Sequence, residues 1–261
     1  MAITIETGQA TDVGRIRSQN EDSLLTLELS SEAADGGPPC CLIAVADGLG
    51  GYEGGEIASN LAISSLSEKI KSGIDIDSIS RGSAISERAN ASALLAEAMR
   101  EANQRVFNEA RGRYNNMATT LVAALTVDTH ACIANVGDSR AYLFDDGLIR
   151  RVSKDHSLVE ELVTAGQIKP DDVYTHPRRN IITRCLGTDP LVEVDLFTAE
   201  MKSGSALLLC SDGLWEMLRD NEIQDILLSA ENAQSACDFM IEQANAHGGI
   251  DNIAVVILRV L

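Results

Sequence analysis

The run Cys41-Leu42-Ile43-Ala44-Val45-Ala46 stops abruptly at Asp47-Gly48-Leu49-Gly50-Gly51, and no other stretch constrains the fold as tightly. Six small or branched apolar residues between Pro38-Pro39 and a glycine cluster read as a buried strand, so Asp47 falls where a sheet meets solvent. The same grammar returns in Cys132-Ile133-Ala134-Asn135-Val136-Gly137-Asp138 and in Leu207-Leu208-Leu209-Cys210-Ser211-Asp212-Gly213. It appears reversed where Asp251-Asn252 runs into Ile253-Ala254-Val255-Val256-Ile257-Leu258. If neighbouring strands align these ends, four carboxylates meet in one metal cage. Each aspartate alone reads more simply as a turn or cap residue; the repetition is what points to a site.

The donor set narrows the metal. Asp47, Asp138, Asp212 and Asp251 offer hard oxygens, whereas His130, His156, His176 and His247 show no close ligand spacing, which suits Mg2+ or Mn2+ rather than zinc. Two such ions about 3.5–4 Å apart activate water and clamp the oxygens of an in-line displacement at phosphorus. The six cysteines lack CxxC spacing and mostly lie inside apolar runs, as core residues do. Adjacent Cys40 and Cys41 are expected to face opposite sides of one strand.

A formal charge of −18 repels nucleic acid and anionic membrane, and it repels phosphate substrates too unless bound cations reverse the field. With no charged-then-apolar leader pattern and no run of about 18 apolar residues, the expectation is a soluble, cytoplasmic protein. The length of 261 residues suits a single domain.

Along the chain, strands are expected over Ile3 to Thr11 and Ser23 to Leu29, then a loop over Ser30 to Pro39. Helical spacing predicts helices over Glu56 to Lys71 and Ala91 to Arg111, with Ser72 to Glu87 a loop or insertion. Period two predicts a meander of Thr119 to Val127, Ala131 to Val136, Arg140 to Phe144 and Leu148 to Val152, with Asp145-Asp146-Gly147 as a hairpin turn. Ser153 to Pro190 reads as short helices and loops. Strands Val192 to Thr198 and Ala206 to Cys210, helices Asn221 to Ser229 and Ala233 to Ala246, and a last strand Ile253 to Val260 complete the order. Two helix pairs between hairpin-linked strands favour antiparallel sheets covered by helices.

Two further features bear on chemistry. Arg17 has a planar fork able to grip two phosphoryl oxygens, and reads equally as a solvated surface arginine. The glycines of Gly48 to Gly55 fail as a nucleotide cradle, since Glu53 replaces the third glycine of GxGxxG and no GK[ST] follows. They suit a backbone carbonyl reaching a metal, or a plain tight turn.

In order along the chain, Arg17-Ser18-Gln19-Asn20-Glu21-Asp22, Ala46-Asp47-Gly48-Leu49-Gly50-Gly51, Met117-Ala118-Thr119-Thr120, Gly137-Asp138-Ser139-Arg140, Ser211-Asp212-Gly213 and Asp251-Asn252 resemble the successive motifs of the metal-dependent type 2C protein phosphatases, the PPM family, in compact bacterial form. The resemblance implies one domain over 1–261, an α+β fold. Its four-layer α-β-β-α sandwich holds two antiparallel sheets flanked by pairs of antiparallel helices, with a small flap subdomain at about 153–185. It also implies a serine/threonine protein phosphatase using a hydroxide that bridges two Mn2+ or Mg2+ ions. Asp47 would bridge the ions, the Gly48 carbonyl would bind one, and Asp212 and Asp251 would complete the other's shell. Glu21, with Asp22 beside it, would act through metal-bound water, Arg17 would hold the substrate phosphate, and Asn252 would orient Asp251. Asp138 with Asp212 resembles the site of a weaker third ion.

Two positions depart from the pattern. Leu49 stands where many eukaryotic members carry a histidine that protonates the leaving alkoxide, so a metal-bound water, or less directly His176 of the flap as a substrate-contacting residue, has to serve. Ala118 replaces a glycine before Thr119-Thr120. The implied partners are phosphorylated proteins and a cognate bacterial Ser/Thr kinase acting on them, with a monomeric enzyme and no nucleic acid or membrane. The alternatives are a non-catalytic phosphoprotein-binding pseudophosphatase and a small-nucleotide phosphatase.

Overall fold

Strand residues on both faces are buried, so each sheet needs a cover on each side, and the layers follow from that requirement. The computed structural model describes residues 4–30, 39–50, 54–74, 84–112 and 117–261. The elements in chain order are β1 Ile5–Asp12, β2 Asp22–Ser30, β3 Cys40–Leu49, α1 Gly54–Gly73, α2 Ala84–Gly112, β4 Ala118–Thr119, β5 Leu121–Val127, β6 His130–Val136, β7 Arg140–Asp145 and β8 Leu148–Arg151. After α3 Leu158–Thr164 and a 3-10 turn Pro170–Tyr174 come β9 Asp195–Glu200, β10 Ala206–Cys210, α4 Asp212–Trp215, α5 Asp220–Ser229, α6 Ala233–Ala246 and β11 Ile253–Val260.

One sheet has the order β1-β11-β10-β7-β8 and the other β2-β3-β5-β6-β9, with β4 paired to β3, and all pairings are antiparallel. Alternation along β3 sends Cys41, Ile43 and Val45 into the space between the sheets, where Val122, Ile133, Leu207, Leu209 and Val256 meet them. Cys40, Leu42, Ala44 and Ala46 point the other way, onto Ala58, Leu66, Leu95 and Met99 of α1 and α2. On the far side Leu208, Val255 and Ile257 pack against Ile223, Leu227, Cys237 and Met240 of α5 and α6. The α-β-β-α order is as expected, and so are the opposed faces of Cys40 and Cys41. Each fully buried leucine or isoleucine here contributes roughly 1.5–3 kcal/mol.

Three expectations need correction. The meander is broken after β6. Gly137, at φ +117°, carries the chain across to the other sheet, so β6 pairs with β5 and β9 while β7 pairs with β8 and β10. Helix α2 begins at Ala84, inside the stretch expected to be a loop; its first turns hold Ala84, Glu87, Arg88 and Ala89, good helix formers, with Ile85 too isolated to show an apolar stripe. Strand β9 is shifted toward Glu200 relative to expectation. The expected loop over Ser30 to Pro39, the rest of the stretch Ser72 to Glu87, and Ile3 fall mainly outside the described residues. Among the described residues no helix is long and apolar enough to cross a membrane.

Candidate active site and metal centre

Antiparallel register does the first part of the assembly. Strands β2 and β3 pair so that Asp22 lies opposite Asp47, on the last rungs of the ladder. Across the sandwich, Ser211 closes β10 onto β11: its amide donates to the Ala254 carbonyl at 3.1 Å, and its hydroxyl accepts from the Ala254 amide at 2.9 Å. That hydroxyl donates in turn to Asp22 Oδ2 at 2.8 Å, joining the two sheets at one end. Asp212 opens α4 directly after this serine, and Asp251 lies two residues before the first residue of β11.

Asp47 is held through its backbone. The Thr120 amide and the Thr119 hydroxyl donate to the Asp47 carbonyl at 2.9 and 2.8 Å, and the Asp47 amide donates to Thr120 Oγ1 at 3.0 Å. The Thr120 and Ser139 hydroxyls are 2.7 Å apart, which links this clamp to the Asp138 loop. Glycine is required beside it: a Cβ on Gly48 would overlap the Gly55 carbonyl and lie 2.7 Å from the Glu21 carbonyl.

The loop between β1 and β2 brings in Arg17 and Glu21. Asn252 pins it, donating from Nδ2 to the carbonyls of Val13 and Gln19 at 2.9 and 2.8 Å and accepting the Glu21 amide at Oδ1, 2.9 Å away. Asn252 also reaches Asp251, through its backbone amide, which donates to Asp251 Oδ1 at 2.9 Å. Arg17 donates to Asp251 Oδ2 at 2.7 Å, and its side chain stays 52 % exposed, so it is within reach of an incoming anion.

Electrostatically the site is strained by like charge. Asp22 and Asp138 are buried, while Asp47, Asp212 and Asp251 are crowded by protein but partly open to solvent. Desolvation, then Asp22, Asp212, Asp138 and Asp251 in turn, holds the Asp47 carboxyl well above the usual carboxylate range. Desolvation and the neighbouring Asp251 and Glu216 push Asp212 up to about 7, against a hydrogen bond with Asp47 that opposes the rise. Desolvation first, then Asp212, raises Asp138, and Asp22 rises for the same kind of reason despite its Ser211 bond. Glu21 is raised mainly by desolvation, with Arg17 opposing.

Among the described residues no three acidic, histidine or cysteine groups already form a cage. The residues nevertheless fit a divalent cation. Asp22 Oδ1, Asp138 Oδ1 and Asp212 Oδ1 are buried without a hydrogen-bond partner, and mutually repelling carboxylates of this kind are what a hard cation compensates. His176 is held within its own turn, where its Nδ1 accepts the Arg178 amide at 3.2 Å. The two departures from the family pattern turn out to face each other, since Leu49 and Ala118 are register partners in the β3–β4 pairing.

Sequence reasoning missed several residues that hold the acidic segments in place: Thr120, Ser139, Ser211 and Trp215. The first three lie inside the quoted motifs, beside the acids, and that adjacency was the available signal. Trp215, three residues after Asp212, is 2 % exposed, and its Nε1 donates to the Asp138 carbonyl at 3.0 Å.

Oxygen donors at the shared end of two sheets define a site for hard divalent cations. The protein phosphatase 2C family matches residues 18–250. A Listeria monocytogenes protein named serine/threonine phosphatase stp is 38% identical over 251 residues, covering 95% of this chain and 93% of that protein. The structure of serine/threonine phosphatase Stp1 from Staphylococcus aureus superposes with a TM-score of 0.83 at 32% identity, covering 99% of this chain and 96% of that one. The catalytic domain of the serine/threonine protein phosphatase PstP, solved with 2 manganese ions, gives a TM-score of 0.79 at 29% identity and covers 100% of both chains. The chain belongs to the protein phosphatase 2C family.

Proposed function

We propose that this chain removes phosphate from phosphoserine and phosphothreonine in proteins and so opposes a Ser/Thr kinase, working as a monomer. It is a metal-dependent serine/threonine phosphatase of the 2C type. The observation that carries the site assignment is the in-register Asp22/Asp47 pair, tied through Ser211 to the other sheet and surrounded by buried carboxylate oxygens without partners.

Asp47, the Gly48 carbonyl, Asp212 and Asp251 are the residues that would hold two Mn2+ or Mg2+ ions, with Asp138 and Asp212 available to a weaker third. Such ions supply Lewis acidity toward water and the phosphoryl group. The chain's own side chains do the rest. Arg17, braced by Asp251, presents its guanidinium to the phosphoryl oxygens and orients the ester. Glu21, set by the Asn252 clamp and the absence of a side chain at Gly55, holds a carboxylate at the entrance. Asp22 sits under the ladder end, where the Ser211 hydroxyl fixes one of its oxygens. Leu49 has no proton to give, so the leaving alkoxide's proton would have to come from water held at the site.

The test is hydrolysis of para-nitrophenyl phosphate and of phosphoserine and phosphothreonine peptides with Mn2+, with and without chelator. Expected is turnover that chelator abolishes and Mn2+ restores, with peptides preferred to nucleotides. Absence of turnover with retained phosphopeptide binding would make it a pseudophosphatase, and preference for nucleotides would overturn the protein substrate.

A further inference from the structure

Asp138 sits on the three-residue crossing between the sheets, outside any ladder, and both of its flanking peptides are held from a distance. On one side the His156 amide donates to the Gly137 carbonyl at 2.9 Å, and the Gly137 amide donates to His156 Nδ1 at 3.0 Å. On the other, the indole of Trp215 donates to the Asp138 carbonyl at 3.0 Å. His156 belongs to the segment 153–185, and the ring of Trp215 is enclosed by partners that lead to that segment. The Arg140 guanidinium lies 3.6 Å from the ring centroid and donates to the Asp155 carboxylate at 3.2, 3.1 and 2.7 Å. Tyr174 meets the indole edge-on, centroids 6.1 Å apart at 68°, and is itself covered by Arg219 at 3.4 Å. One residue further on, Glu216 accepts from Arg179 Nε at 3.0 Å.

From this chain of contacts we propose that Trp215 is a positioning residue that sets the Asp138 carboxylate and couples it to the docking of segment 153–185. The proposal rests on the assignment of Asp138 to the metal-binding end of the site. The indole N–H fixes the peptide that follows Asp138, and rotation of that peptide would swing the carboxylate away from Asp212. The stacked ring can hold that N–H in place only while Tyr174 on one side and the Arg140–Asp155 pair on the other keep it there. Lifting the segment removes Tyr174, Asp155 and His156 together, so both peptides around Asp138 loosen at once. Burial rules out the simpler idea that the indole touches substrate.

Trp215 is the chain's one tryptophan, which makes it its own reporter. In chelator-treated full-length protein, Tyr174→Ala and Arg179→Ala should red-shift the emission and raise its acrylamide quenching; unchanged emission in both overturns the coupling. Trp215→Phe keeps one aromatic ring and deletes the N–H together with the rest of the pyrrole ring. It should lower kcat for para-nitrophenyl phosphate at saturating Mn2+ by roughly tenfold, with KM unchanged, as expected for loss of a residue that orients a ligand. The same substitution in an Asp138→Asn background should cost nothing further, because the effect passes through Asp138. A full additional loss there, or no loss in the single variant, refutes the proposal. If Trp215→Phe does not match wild type by circular dichroism, Tyr174→Ala carries the same cycle. Wild-type protein without Mn2+-dependent turnover would instead refute the phosphatase reading, while the emission arm still decides the coupling.

Discussion

Asp47 and Asp138 serve the same end of the molecule but are held by different kinds of structure. Asp47 stands within a strand, its amide and carbonyl clamped by the neighbouring Thr119 and Thr120, so its place follows from one ladder and one short motif. Asp138 stands on a crossing between layers, and its place depends on an imidazole 18 residues downstream and an indole 77 residues downstream. The first arrangement is stiff because it lies among paired strands, although Thr119 and Thr120 are 72 and 73 residues from Asp47 in sequence. The second gathers its supports from a loop and a short helix outside the strand ladder that precedes it.

The largest expected effect is at the stiff end: Asp47→Asn should lower kcat/KM about 10³-fold or more, at least about 4 kcal/mol of transition-state stabilisation. Phosphopeptide turnover checks it, and residual activity near wild type would break the assignment. Next, Arg140→Met should destabilise the protein by about 2 kcal/mol in denaturant titration, because buried Asp155 would lose its closest cation and keep only Arg151, at 3.1 Å. Asp47→Asn should leave the denaturation midpoint far less affected. Third, Thr120→Val should lower kcat about tenfold by releasing the Asp47 amide, whereas Ser139→Ala, which leaves that bond intact, should cost less. Equal losses would mean that the hydroxyl link matters more than the clamp.

The smallest effect concerns pH. Burial holds the His156 imidazole below its usual pKa, with Asp195 opposing the shift. Since Gly137 donates to Nδ1, the neutral ring carries its proton on Nε2, which faces Asp195 at 3.2 Å and the Arg184 guanidinium at 3.0 Å, whose charge also disfavours protonation. The unfolded histidine binds a proton more readily than the folded one. Its contribution to stability is therefore full above about pH 6.5 and declines as pH falls below it. The stability difference between wild type and His156→Gln should shrink, by under about 1 kcal/mol, between about pH 7.5 and about pH 5.5. A difference that grows on acidification would reverse the tautomer argument.

Much of this was legible from residues alone. Apolar runs without alternation announced strands covered on both sides, and acids at the ends of those runs announced a site, because burial and solvent meet there. The crossing at Gly137-Asp138-Ser139 was not legible. Residues of β6 and β7 are buried whichever sheet they join, so hydrophobic pattern cannot choose between a hairpin and a change of layer. The clash a Gly213 side chain would make with the Asn252 carbonyl, and the pairing of Leu49 with Ala118, likewise join positions that no short-range pattern relates. Sequence by itself determined which residues are strand, helix and acid, since those depend on neighbours a few positions away. Tertiary structure alone decided which acids share a charge environment and which distant rings and hydroxyls hold them, because proximity across layers is set by packing that closes only when the whole chain is in place.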